Sequence, residues 1–182
     1  MRASLILIIL LLAAPAAMAQ HKPAAKPAAA HPAAHPAEST APHAIGTFQD
    51  WTAATNIEAG QKTCYAFTRA KSGTPKLAGR GDVVLTVTER PTGRDAVAIS
   101  AGFEYPPNAA MVLQADQTRL DFYTSKRNAF ARDGRAAVAA FRASRLAATR
   151  APGPKGATVV DTFSLTGFER AYAAITKACP PK

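Results

Sequence analysis

Residues 44–182 are predicted to form a mainly β domain: an antiparallel, sandwich-like fold with two short helices, the second at the C-terminus. Three observations point there. Short runs of branched and aromatic residues recur between turn-forming residues. Only residues 134–141 and 166–178 carry apolar positions at helical spacing. The cysteines, Cys64 and Cys179, stand near the two ends of this region.

The strands follow in order. Residues 48–54 and 63–69 are the first two, the second reading TCYAFTR. Residues 82–89 (DVVLTVTE) and 95–103 (DAVAISAGF) are the clearest, with partial period-two alternation. Arg90-Pro91-Thr92-Gly93-Arg94 joins them as a hairpin in which proline presets φ and glycine is expected at positive φ. Residues 111–115 and 119–124 form a second hairpin around Asp116-Gln117-Thr118. Residues 128–132, 144–149 and 158–165 bring the total to eight or nine strands. Asp133 is placed to N-cap the first helix, whose Val138 and Phe141 share a face. The second helix aligns Phe168, Ala171, Tyr172 and Ile175, and Cys179-Pro180 ends it.

Two segments precede the domain. Residues 1–19 read as an export signal: Arg2, an apolar run over 5–12, and a small-x-small cleavage motif at Ala17-Met18-Ala19. The run is too short to span a bilayer, and no spanning segment follows, so a periplasmic or outer-membrane-associated location is expected. Residues 20–43 alternate alanine with five prolines, an extended linker rather than a fold. His21, His31, His35 and His43 all lie there. Either they form a metal-capturing tract or they are a solvated spacer; prolines between them preorganise no coordination shell, and no metal is assigned.

Pairing of Cys64 with Cys179 is the preferred reading of two cysteines in an exported chain, and it closes a loop of 116 residues. On the chain-entropy view such a bridge stabilises by as much as roughly 4–5 kcal/mol, a figure that native-state strain lowers. A redox-active pair is the alternative, but it normally shows close spacing.

The order of motifs resembles a known family. F-x-D-W at Phe48, Asp50 and Trp51 precedes CYAFTRAKS from Cys64; GDVVLTVTERP then leads from Gly81 into a strand ending AGF. The chain closes on DTFSLTGFERAYAAITKACP from Asp161. This is similar to the invasion-associated locus B family of alphaproteobacterial envelope proteins, over about residues 46–180. The resemblance implies a periplasmic or outer-membrane-associated β-rich domain, linked in some pathogens to host-cell entry. It brings no catalytic residues.

The chemistry in the domain is sparse. No histidine follows His43, which excludes Ser-His-Asp and Cys-His arrangements and histidine-based zinc sites. Phosphate-binding glycine loops are absent. A carboxylate pair assembled by folding, as in an uncharacterised hydrolase, is left open, although no spacing points to one. Arg80-Gly81-Asp82 is either an integrin-type tripeptide or a turn feeding a strand, the second being preferred. Trp51, Tyr65, Phe67, Phe103, Phe122, Tyr123 and Phe163 either line a cleft or fill the core, with core packing preferred.

Charge gives the strongest functional lead. The chain carries 22 basic and 12 acidic residues, a net of +10. Residues 119–155 hold nine basic side chains against Asp121 and Asp133, a net of +7. Arg127, Arg132, Arg135, Arg142 and Arg145 are the candidate anion-binding residues, since the guanidinium fork suits phosphate and carboxylate. Export argues against nucleic acid and for an anionic envelope component. No catalytic residue and no cofactor is expected. The alternative is a structural module that binds an envelope protein and uses its charge for solubility.

Overall fold

The computed structural model of the chain describes residues 41–182. The expected export signal, and the linker up to residue 40 with His21, His31 and His35, lie outside the described residues. The strands are β1 (His43–Phe48), β2 (Trp51–Glu58), β3 (Gln61–Arg69), β4 (Ser72–Thr74), β5 (Val84–Arg90), β6 (Gly93–Ser100), β7 (Ala110–Ala115), β8 (Thr118–Ser125), β9 (Asn128–Ala131), β10 (Leu146–Pro152) and β11 (Thr158–Ser164). Helix α1 is Gly134–Ala143 and α2 is Phe168–Ala178.

All eleven strands belong to one antiparallel sheet in the order β1-β2-β3-β5-β6-β9-β8-β7-β10-β11-β4. The last strand in that order, β4, directly follows β3 in the chain. Ala70 N–H still donates to Val83 O on the β5 side (2.9 Å), whereas Lys71 N–H donates to Thr162 O at β11 (2.7 Å). The strand thus changes partner within two residues, and the sheet rolls back onto itself. The mainly antiparallel architecture with two helices agrees with the sequence. Its facing layers are parts of one continuous sheet.

Inward positions alternate along the strands: Leu85, Val87 and Glu89 on β5, and Val159, Asp161 and Phe163 on β11. Trp51 closes the core near α2, 4.8 Å from Phe168 between ring centroids, and its Nε1–H donates to Ser164 O (3.0 Å). Phe141 of α1 meets Phe168 edge-on at 5.5 Å, so both helices converge on the same aromatic cluster. Asp133 caps α1 by accepting from Ala136 N–H (2.9 Å), as its side chain predicts.

Several boundaries differ from expectation. Residues 48–54 are not one strand; the chain turns at Gln49 and Asp50, with Gln49 at φ 56°. The turn escapes notice because β1 lacks an alternating apolar pattern, being exposed at four of six positions. His43 is the first residue of β1, opposite Thr55. Asp82 precedes β5 rather than opening it. In the β5–β6 hairpin the positive φ falls on Asp95 (54°) and not on Gly93, because a register shift sets Arg90 opposite Gly93 and leaves Glu89 to face the turn-proximal backbone. Strand β4, the tripeptide SGT, carries no strand-forming signal and owes its pairing to β11.

Candidate functional site

Two places on this fold gather polar chemistry, and the arginines singled out by the sequence are spread over the surface outside them. The first is a cleft between β3–β4 and the loop 75–83, with a volume of about 300 Å³. Its base is an ion pair drawn from 81 residues apart. Arg80 Nη1 and Nη2 donate to Asp161 Oδ1 (2.7 Å) and Oδ2 (2.6 Å). Both side chains are nearly buried, at 9% and 6% exposure. Arg80 Nε also donates to Ala101 O (2.8 Å), and the guanidinium lies 5.1 Å from the Phe103 ring centroid. Arg69, Lys71 and Lys76 rim the cleft. Arg69 pairs with exposed Asp82 (3.1 Å) and Lys71 with Asp50, whose carboxyl Lys71 holds below its ordinary value. Nearby, burial and then the Asp161 charge push Tyr105 up to about 12.

Burial of Arg80 settles the tripeptide Arg80-Gly81-Asp82. Its arginine points inward, so the three residues are not displayed as a recognition loop.

The second place lies at the other end of β5. Glu89 is fully buried, and Oε2 lies 2.5 Å from Arg94 Nε while Oε1 accepts from Asp95 N–H (3.2 Å). Burial, then the Asp95 side chain, raise Glu89 to about 7 despite the opposing Arg94 charge. Arg94 also donates to Cys179 O (2.5 Å), and Tyr172 OH donates to Asp95 Oδ1 (2.5 Å). Cys179 is bonded to Cys64, the residue opposite Glu89 in the β3–β5 register. This cluster fastens the end of α2 to the sheet, and burial keeps Glu89 from reaching a ligand.

All five candidate arginines are exposed, but the fold does not collect them at one point. Arg127 and Arg132 flank opposite ends of β9: Arg127 donates to Gly102 O (2.7 Å), while Arg132 lies 5.8 Å from the Tyr123 ring centroid. Arg135 and Arg142 start and end α1, and Arg142 makes a two-pronged pair with Glu169 (2.6 Å each). That pair holds Glu169 below its ordinary value. Arg145 follows α1 and makes no side-chain ion pair among the described residues. Arg119 and Arg150, counted in the basic segment but not chosen as site residues, line one groove with Val112, Gln114 and Val160 on the outer face of β7–β10. Sheet register could have shown this: Gln114 pairs with Arg119, and Val112 with Arg150.

Aromatic side chains divide between core and surface. Trp51, Phe103, Phe122 and Phe163 are buried, whereas Tyr65 and Phe67 lie half-buried on the outer face and Tyr123 is exposed. Among the described residues no group of three or more His, Cys, Asp or Glu could hold a metal, and no helix is long and apolar enough to cross a membrane.

Comparison with solved structures gives the same fold. The crystal structure of invasion associated protein b from Bartonella henselae superposes with a TM-score of 0.54 at 18% identity, covering 73% of this chain and 95% of that one. No curated protein matches the sequence. Residues 51–176, running from the core tryptophan nearly to the end of α2, match the family described as Invasion associated locus B (IalB) protein. The chain therefore belongs to the invasion associated locus B family.

Proposed function

We propose that this chain is an exported, periplasmic or outer-membrane-associated protein that acts by binding rather than by catalysis, and that its basic surface engages anionic envelope components. One observation carries the reading. All nine basic residues between 119 and 155 are exposed, and only Arg119 and Arg142 are neutralised by a carboxylate among the described residues (Asp121 and Glu169). The remaining positive charge is free to meet phosphate or carboxylate groups at a surface. Residues 1–19 as an export signal and 20–43 as a linker fit a domain held apart from its attachment point.

Sedimentation with vesicles tests this. The chain is expected to pellet with anionic vesicles and not with neutral ones, and Arg135→Ala with Arg145→Ala to weaken the association several-fold. Equal pelleting with both lipids overturns the reading. A second reading, a protein-docking module, draws support from half-buried Tyr65, Phe67 and Val84, which line one outer groove with Glu58. It predicts a crosslinked envelope protein lost on Tyr65→Ser with Phe67→Ser and retained on the arginine changes.

A further inference from the structure

We propose that the cleft over Arg80 is a binding site for a phosphate monoester. The site is separate from the arginine-rich segment. Arg80 is held rigidly: three of its five N–H groups are used by Asp161 and Ala101, and Phe103 covers one face. Two N–H groups remain, on a side chain that still forms part of the cleft wall.

Gly73, which faces Asp161 across β4–β11, keeps that wall open. A side chain at this position would begin 2.7 Å from Asp161 Oδ1 and 3.1 Å from Arg80 Nη1. Beside it, β4 ends the strand order, so one backbone edge is unpaired by strand. Asp161 turns its amide to Thr149 on β10, so Thr162 and its register partner Ser72 face each other across the β4–β11 ladder, and alternation turns the Gly73 amide to the open edge.

The rim supplies charge from separate segments. Arg69, Lys71, Lys76 and Arg80 stand against Asp82 and Asp161, four cations to two acids. Asp50, reaching Lys71 from outside the cleft, lowers the net to +1. Lys76 is exposed and has no ion-pair partner among the described residues.

Ligand class follows from which donors are left. The two-pronged edge of Arg80 already holds a carboxylate, so a second carboxylate finds no fork. What remains are ammonium groups and single N–H donors converging from several sides, which suit a phosphoryl group with three terminal oxygens. A cavity of about 300 Å³ admits that group with a sugar-sized body, and its open mouth lets a longer molecule extend outward.

Amide NMR titration of the chain with inorganic phosphate, glucose 1-phosphate and acetate tests the site. Saturable shifts are expected at Ser72, Gly73, Lys76 and Gly81 with both phosphates, and at least several-fold weaker binding of acetate. Lys76→Ala should weaken glucose 1-phosphate roughly fivefold or more, and Lys71→Ala should do the same if Asp50 is also changed to Asn. Vesicles containing phosphatidic acid supply the lipid-borne form: protection of the same amides identifies a lipid source, and its absence beside tight sugar-phosphate binding identifies a soluble one. Shifts that do not saturate, or that persist unchanged in the Lys76→Ala protein, overturn the proposal. Because Lys76→Ala leaves Arg135 and Arg145 intact, vesicle pelleting distinguishes failure of this site from failure of the basic-surface reading.

Discussion

Asp161 stands in the apolar alternation of β11 between Val159 and Phe163, and its carboxylate is tolerated there only because Arg80 meets it with both arms. Removing one partner leaves a buried charge without compensation. Asp161→Ala is expected to destabilise by about 3–5 kcal/mol in denaturant unfolding, and a loss under about 1 kcal/mol contradicts the pairing described. Glu89 predicts a pH dependence. Folded Glu89 holds its proton up to about pH 7, against an ordinary value of 4.5. Between these values the folded state binds more protons, so its contribution to stability falls as pH rises. Unfolding midpoints should decline across that window, and Glu89→Gln should flatten the decline. Below it, Asp50 and Glu169, both lowered by cationic partners, act in the opposite sense. Neither ion pair was legible in the sequence. DVVLTVTE and TVVDTFSL each show an acid at an inward position, but the partners, Arg94 on β6 and Arg80 in the loop 75–83, are brought to them only by the fold.

Helix α2 is held at both ends, and its outline is legible in the sequence from its apolar stripe and its terminal cysteine. Its start is not. The helix begins at Phe168 because Gly167 takes φ 96° beneath Phe48 O, where a Cβ would stand 1.9 Å away. Gly167→Ala should cost roughly 1–3 kcal/mol in thermal or chemical unfolding, through combined positive φ and collision. At the other end the Cys64–Cys179 bond and the Arg94 contact with Cys179 O hold the same residue. Reduction is expected to destabilise by about 2–5 kcal/mol, read as a lower unfolding midpoint in reductant. An unchanged midpoint would show that Arg94 and the aromatic cluster suffice. Strong period-two strands such as β5 and β6 were visible from their branched residues. Strands β1 and β4 were not, since HAIGTF and SGT borrow their conformation from the neighbours they pair with.

At the scale of the whole molecule, strand order and register separate residues that are close in sequence and unite others. Arg127 and Arg132 go to opposite ends of a strand, while Arg119 and Arg150 come to share a groove. Composition identified the positive surface but not its layout, because layout depends on register and on the order β9-β8-β7-β10. What survives folding is exposure: the basic segment remains at the surface, and the folded region from residue 44 keeps 19 basic against 11 acidic side chains. A surface of this kind attracts anionic partners through a field that salt screens. The most direct measurement is the affinity of the intact chain for anionic vesicles as ionic strength rises from about 0.05 to about 0.2 M. Binding through free arginines predicts a fall of roughly tenfold or more, with negligible binding to neutral vesicles throughout. Affinity that is indifferent to salt, or equal on neutral lipid, would contradict it.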